Sequence, residues 1–428
     1  MPILESIYTW LPVRLQQLAC SWAGWRIQRT RFGPGFAKHL RAAHERDEWP
    51  LERICEYRDW KLHDFINHAA TTVPFYRRLF RKHGVDPRRI VRLEDLAQLP
   101  LLTKEDVQAN CAELISEVSP ASPRTVTRTS GTTGSGLQFP TTLSALQQQW
   151  AVWWRYLQRH NITRDTLCRY FGGRTVVPVK QSRPPFWRYN WPGHQILFSG
   201  YHMSPRNLDA YVDELRRRRP PWLHGYPSLL ALLAAHLHGR NEDLGYAVRA
   251  ITVGAESLLP HQSSLIEQVF GVTPRQHYGM AEAVANISQW PDGSLRVDED
   301  FAAVEFLNAG DGQYQVVGTN FSNPLFPLIR YNVNDLVTLP ADAPRNEGGR
   351  RVSTIDGRRE DYVVVPSGAR IGRLDHVFKN SPTFAKRRFG KIRWERFGWP
   401  WFAARLIANR TRTIYVANFA DASATTWS

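Results

Sequence analysis

The sequence predicts a mixed α/β protein: a large multilayer N-terminal domain with doubly wound sheets and a β-rich subdomain, then a short, atypical C-terminal segment. Three observations carry this. From residue 205 to 280, helical stripes alternate with short apolar runs, as in a sheet covered by helices on both faces. From 290 to 365 the chain turns to short strands separated by Gly, Asp and Asn. And 428 residues exceed what one compact core holds, so two or more domains are needed.

Composition bounds the function classes. Hydrophobic residues make up 43% and charged residues 22%, ordinary for a water-soluble globular chain. Cys20, Cys55, Cys111 and Cys168 lie far apart with no CxxC pair, which reads as reduced thiols and not as a zinc site or disulfide framework. The first 25 residues lack a basic leader region, and Glu5, Arg14 and two glutamines interrupt their apolar residues, which argues against a secretory signal. The longest apolar run, "SLLALLAAHLHG", is too short to span a bilayer, so no transmembrane segment and a cytoplasmic location are expected. A peripheral association through the basic surface stays open. The net charge of +16 invites a nucleic-acid reading, but its distribution argues against a specific one. Residues 381–428 hold nine Lys/Arg and two Asp/Glu, a surplus of seven, and runs such as "ELRRRRPP" and "DPRRIVR" read as solvated helix ends. An anionic small-molecule partner such as a nucleotide fits better.

Taken in order, residues 1–100 read as mainly helical. "PFYRRLFRKHGVDP" carries a helical stripe that Gly and Pro end. Thr103 and Asp106 have capping-box spacing and start a new helix. "TVTRT" and "LQFPTT" read as strands around "SGTTGSG". That strand–loop–strand context, without a lysine, does not fit a Walker-type loop, which needs a helix directly after it. In "SALQQQWAVWWRYLQRHNI", Trp150, Trp153, Trp154 and Leu157 fall on one helical stripe, read as core, with an acyl-pocket wall as the competing reading. Helices over "SPRNLDAYVDELRRRRP", "SLLALLAAHLHG" and "LPHQSSLIEQVFG" alternate with strands over "PWLHGYP", "VRAITVGAE" and "VTPRQHYG". Ligands of such sheets bind beyond the C-terminal strand ends, where "VGAE" and "HYGMAE" both fall.

Each motif alone is weak. "SGTTGSG" reads equally as a linker, "YGMAE" as a strand end, and Asp335 in "IRYNVNDLV" as a turn residue. Their order is specific. "VPFYRRLF", "LEDLAQLPLLTKEDV", "TSGTTGSG", "FSGYHMSPRNL", "HGYPSLLALLA", "YGMAEAV" and "GRREDYVVVPSGARIGRLDHVF" follow one another in a series that resembles the adenylate-forming superfamily of acyl-CoA ligases. The resemblance is to its phenylacetate–CoA ligase branch with the capsular-polysaccharide-associated (CapK-like) members, over roughly residues 70–380.

The resemblance implies site residues. Ser130, Gly131, Thr132, Thr133, Gly134 and Ser135 would offer hydroxyls and unobstructed backbone N–H groups to ATP phosphates. Gly254, Ala255 and Glu256 resemble the segment that lies against the adenine, and Tyr278 the ring that stacks on it, followed by Gly279, Met280 and Ala281. Glu282 resembles the carboxylate that binds Mg²⁺. Asp335 resembles the acceptor of both ribose hydroxyls, Arg358 a second ribose contact, and Asp361 the hinge of a C-terminal lid. ATP, Mg²⁺ and CoA are the implied cofactors and co-substrates, and a small carboxylic acid is the implied substrate. The implied activity is an enzyme's: carboxylate activation through an acyl-adenylate, then thioester formation, with a link to capsular or exopolysaccharide biosynthesis. Transfer to a non-CoA acceptor and nucleotide binding with impaired catalysis are the alternatives. The oligomeric state stays open.

The resemblance divides the chain into an adenylate-forming domain over 1–356, a hinge and start of the lid over 357–380, and a divergent basic, Trp-rich tail over 381–428, so that only a lid remnant is expected. No catalytic residue is assigned. The family's lid lysine has no counterpart, since Lys391 in "RRFGKIR" comes too soon after the hinge. The tail shows neither helical nor strand periodicity. Suitable synonymous codons for it yield, in another frame, a charged helix followed by a strand, so a frameshift near Asn380–Pro382 is one expectation. A genuine tail that binds a membrane surface or polyanion is the other.

Overall fold

The computed structural model describes residues 7–129, 136–341, 349–358, 362–364, 370–372, 403–407 and 414–418. The chain divides into two compact units, Met1–Asp356 and Gly357–Ser428.

Helices open the first unit: α1 (Val13–Arg31), α2 (Pro34–Asp47), α3 (Leu51–Thr72), α4 (Pro74–His83) and the short α5 (Lys104–Ala109). Local signals set their ends. Gly84 takes φ +64° and stops α4, a conformation that costs glycine little. At α5 the Thr103 hydroxyl accepts from Asp106 N at 3.1 Å while Asp106 Oδ2 accepts from Thr103 N at 2.9 Å, the reciprocal cap that the spacing predicts. Strands β1 (Arg124–Arg128) and β2 (Gln138–Thr142) then pair antiparallel, with Arg128 opposite Gln138. Thr129 and Leu137 close the mouth of this hairpin: Thr129 N donates to Leu137 O at 2.9 Å, and Leu137 N to Thr129 Oγ1 at 2.8 Å. The strand–loop–strand context is therefore observed, while Ser130–Ser135 lie outside the described residues.

Helix α6 (Leu143–Arg159) follows, capped by Thr142. After it the chain alternates: β3 (Cys168–Gly172), β4 (Trp187–Asn190), β5 (Gln195–Ser199), α7 (Leu208–Arg218), β6 (Trp222–Gly225), α8 (Pro227–Gly239), β7 (Ala250–Gly254), α9 (Pro260–Phe270), β8 (Arg275–Gly279), β9 (Asn286–Gln289) and β10 (Leu295–Val297). Next come β11 (Ala303–Gly310), β12 (Gln313–Thr319), β13 (Tyr331–Thr338), β14 (Arg351–Val352) and β15 (Thr354–Arg358).

One nine-stranded sheet organises this unit, in the order β14-β10-β9-β8-β7-β6-β3-β5-β4. Its centre, β5-β3-β6-β7-β8, is parallel. One face packs Phe171, Leu223, Ile251 and Val253 against α7, α8 and α9. The other packs Cys168 and Trp222 against Trp154 and Leu157 of α6. This is the doubly wound arrangement. The aromatic stripe of α6 is core at Trp154 and Leu157, whereas Trp150 and Trp153 are half-buried.

The β-rich segment departs from expectation in one respect. Strands β9, β10 and β14 do not stand apart but extend the large sheet antiparallel from β8. The reason is the sharp return after Gly279, which lays β9 beside β8 before any separate sheet can start. Strands β11-β12-β13-β15 form a separate four-stranded sheet.

In the second unit, β16 (Tyr362–Val364), β17 (Arg370–Gly372), β18 (Ala403–Ile407) and β19 (Ile414–Asn418) form a sheet in the order β17-β16-β18-β19. The tail, expected to lack strand character, thus contributes two strands. "RLI" and "IYV" are short β-favouring runs that an antiparallel pairing suffices to order.

Candidate functional site

The parallel strands end together, and the expected site lies in the loops beyond them. Gly254 closes β7 opposite His277 of β8. A Cβ at Gly254 would lie 2.9 Å from the His277 carbonyl oxygen, so only glycine lets the two strands end this close. Ala255 then takes φ +67°, a left-handed conformation that turns the chain over the sheet edge. Glu256 follows, and its Oε2 accepts from Ser228 N at 3.3 Å, where the first turn of α8 offers unpaired N–H groups. The "GAE" segment is thereby tied to the helix after β6.

The adjacent loop is built from β8. Tyr278 pairs with Ile287, Gly279 with Asn286, and a turn returns Ala283 N to Met280 O at 3.1 Å. Three contacts fix the turn from outside. Gln149 of α6 donates to Met280 O at 2.7 Å. Asn320 donates to Glu282 O at 3.2 Å. Gly318 of β12 approaches so closely that a Cβ there would lie 2.1 Å from the Val284 carbonyl oxygen.

Asp335 arrives from the second sheet. Strand β12 pairs Gln315 with Leu336 and Val317 with Asn332, so Val316 alone faces Val333, Asn334 and Asp335. The extra residues form a bulge, and Asn334 sits at φ +61° within it. The bulge aims Asp335 at β8: the Tyr278 hydroxyl donates to Asp335 Oδ2 at 2.7 Å, across 57 residues of sequence. A charge-assisted bond of this length holds both the ring and the carboxylate in place.

Behind this loop lies a buried charge network. Arg155 of α6 donates through Nη2 to Asp298 Oδ1 and Asp300 Oδ1, both at 2.8 Å. Arg46 joins at Asp300 Oδ2 at 2.7 Å. These guanidinium groups hold the Asp300 carboxyl well below the usual carboxylate range, against its burial. Asp298 Oδ2 in turn accepts from Asn286 Nδ2 at 2.6 Å, which positions β9 opposite Gly279. Two histidines sit on the α6 side of the sheet. Burial pushes His224 and His277 each down to about 4, and His224 is held at Thr252 Oγ1 at 2.9 Å. Trp153 and Tyr170 lie 5.7 and 5.5 Å from the His224 ring. Both imidazoles are therefore neutral at pH 7, in an aromatic setting.

The structure thus brings together Gly254, Ala255, Glu256, Tyr278, Gly279, Met280, Ala281 and Glu282 at neighbouring strand ends and the loops that follow, with Asp335 on the bulge of β13. Arg358 ends β15, in the same four-stranded sheet as Asp335. Residues 130–135, expected to meet phosphates, Asp361 and Lys391 lie outside the described residues. Among the described residues no group of three or more His, Cys, Asp or Glu is placed to hold a metal, so Glu282 belongs to no such cluster. One carboxylate suits Mg²⁺, which commonly takes one or two from the protein and completes its shell with phosphate and water. Sequence reasoning missed Gln149, Asn320, Asn286 and the Arg155 network. The signal for Gln149 was a polar residue on the inward side of an aromatic helix, legible only once the neighbouring loop is known.

Comparison with known proteins agrees with this architecture. No family profile matches the chain. It is 25% identical over 363 residues to the protein CapK of Staphylococcus aureus, covering 84% of this chain and 79% of that one. It is 25% identical over 322 residues to the phenylacetate-coenzyme A ligase of Pseudomonas putida, covering 70% and 69%. Among solved structures, 2-hydroxyisobutyryl-CoA ligase in its postadenylation state with 2-HIB-AMP superposes with a TM-score of 0.55 at 18% identity, covering 76% of this chain and 72% of that one. The same ligase with 2-HIB-AMP and CoA in the thioesterification state gives 0.52 at 20% identity, covering 76% and 73%. The chain shares the fold of these acyl-CoA ligases. In sequence it is similar to the protein CapK and to the phenylacetate-coenzyme A ligases.

Proposed function

We propose that the protein activates a small carboxylic acid with ATP and passes the acyl group to CoA. The observation that carries this reading is the Tyr278–Asp335 contact at 2.7 Å beyond the ends of the parallel strands. It presents an aromatic face for a base and a fixed carboxylate for ribose hydroxyls side by side. The relatives that are CoA ligases support the same reading.

In this scheme a substrate carboxylate oxygen attacks the α-phosphorus of ATP, and pyrophosphate leaves. The CoA thiolate then attacks the acyl carbon of the mixed anhydride, and AMP leaves. Asp335, fixed by Tyr278, accepts from the ribose and sets the register of the nucleotide. Gly254 and Ala255 keep the face opposite Tyr278 free of bulk. Ser130–Ser135 supply N–H and hydroxyl donors to the phosphates, and Glu282 would hold Mg²⁺. When bound, that cation neutralises phosphate charge as pyrophosphate departs. Arg358 makes a further ribose contact, and Asp361 acts as hinge. The proposed setting is the cytoplasm and a role linked to capsular or exopolysaccharide biosynthesis; the likeness to the protein CapK supports the latter.

The test is carboxylate-dependent exchange of labelled pyrophosphate into ATP, over aryl, aliphatic and hydroxy acids, followed by thioester detection with CoA. Exchange with at least one acid class is the expected result. Absence of exchange with every class, together with absence of ATP binding, overturns the proposal. Exchange without thioester transfers the second half-reaction to another acceptor.

A further inference from the structure

Helix α1 is inside out. An amphipathic helix on a protein surface normally buries its apolar face. Here the buried residues are Gln16, Ser21 and Gly24. Gln16 Nε2 donates to Leu11 O at 2.8 Å, and its Oε1 accepts from Arg188 Nε at 2.8 Å. Ser21 Oγ donates to Tyr189 O at 3.1 Å. Gly24 lets the helix close on Asn190, where a Cβ would fall 1.8 Å from Oδ1. The helix is thus clamped to β4 through its polar and small residues.

The outward face carries the apolar side chains. Leu15, Leu18, Trp22 and Trp25 follow one another at spacings of three and four, one line along the helix, and Trp10 precedes them. Trp10 is 86% exposed, Trp22 60% and Leu18 57%. Arginines are set into the same face: the Arg26 guanidinium lies 5.1 Å from the Trp22 ring and that of Arg29 4.8 Å from Trp25. From Ser6 to His44 the chain has Arg14, Arg26, Arg29, Arg31, Lys38 and Arg41, and no Asp or Glu.

We propose that this face of α1 docks on an anionic lipid bilayer surface, with the indoles at the headgroup level and the arginines on lipid phosphates. Tryptophan prefers that interface, and basic side chains add attraction to anionic lipid. Charge decides against a second copy of the chain. A two-fold contact would set Arg14, Arg26 and Arg29 against the same arginines of the other copy. The clamp holds the helix parallel to the surface it would meet, so docking needs no refolding. This role is separate from the nucleotide site and stands whether or not that reading holds.

The test uses the full chain in co-sedimentation with phosphatidylcholine vesicles with and without phosphatidylserine, at low and high salt. Two variants are compared with the unaltered protein: Trp10→Ser/Trp22→Ser/Trp25→Ser, and Arg14→Glu/Arg26→Glu/Arg29→Glu. A third, Arg81→Glu/Lys82→Glu, reverses a basic patch on α4 and serves as control. Thermal melting confirms that each variant is folded, as expected for solvent-facing positions. The proposal expects binding to phosphatidylserine vesicles that weakens with salt. The tryptophan variant should lose on the order of tenfold or more in partitioning, and the arginine variant about fivefold per arginine. The α4 control should bind unchanged. Absence of binding to phosphatidylserine vesicles overturns the proposal, and so does equal binding by the first two variants. Concentration-dependent self-association in sedimentation velocity, lost in the tryptophan variant and unaccompanied by vesicle binding, assigns the face to a second copy and likewise overturns it.

Discussion

Consider Arg155→Met. The guanidinium is 2% exposed and makes two bonds to Asp300 and one to Asp298, at 2.8–2.9 Å, with a fourth to the Ala43 carbonyl at 3.0 Å. Methionine keeps the chain's bulk but leaves two buried carboxylates with reduced compensation. Removing one partner of a buried ion pair typically costs about 3–5 kcal/mol. Arg46 remains on Asp300, and Arg159 lies 3.6 Å from Asp298, which places the expected loss at the lower end, about 3 kcal/mol. The assay is urea unfolding followed by the near-UV signal of the tryptophans packed around α6, with the midpoint converted at constant slope. Adding Asp300→Asn should recover part of the loss by removing one stranded charge. A loss below about 1 kcal/mol, the scale of a solvent-exposed pair, would refute the view that this network is dry and holds β9 in place.

Other expectations are measured as directly. Tyr278→Phe removes the donor to Asp335, and a hydrogen bond to a charged group is worth about 1.5–3 kcal/mol, so the ATP dissociation constant should rise by about tenfold or more; an unchanged constant by calorimetry places the pair outside the nucleotide site. Gly318→Val forces a side chain into the Val284 carbonyl and should cost about 1–3 kcal/mol while weakening nucleotide binding; full stability in thermal melting argues against the close approach. Stability should also fall with acid. His224 and His277 stand near 4 in the folded protein against 6.5 in the unfolded chain, so the unfolded state binds more protons between these values and gains as pH drops through that window. Asp300, held low when folded, adds loss in the same direction at more acid pH. An unfolding midpoint that stays flat from pH 6.5 to 4 would contradict the burial of both rings.

What was legible in the sequence was what local chemistry dictates. Thr103 and Asp106 announce their cap by spacing, and the strand–helix alternation from Trp222 to Gly279 announces a covered parallel sheet. Gly254 and Tyr278 could be placed at strand ends for the same reason. The rest depends on partners far along the chain. That β13 bulges at Asn334 follows from pairing with β12, and no residue in "YNVND" states it alone. Gln149 reads as a helix-surface glutamine until Met280, 131 residues later, turns out to need a donor. Helix α1 is the clearest case. Arg188 and Tyr189, far along the chain, claim its polar side and leave its tryptophans outward. Strands β18 and β19 escaped notice because runs of three β-favouring residues are too short to stand out from the surrounding Arg and Trp.

The central claim is that the loops after β7 and β8, together with Asp335, form a nucleotide site. Calorimetric titration of ATP with Mg²⁺ into the unaltered protein and into Asp335→Ala tests it most directly. The account predicts saturable binding by the unaltered protein and a loss of about tenfold or more on removing the carboxylate, with the variant still folded in thermal melting. Equal affinity in the two proteins, or absence of binding in both, would contradict it.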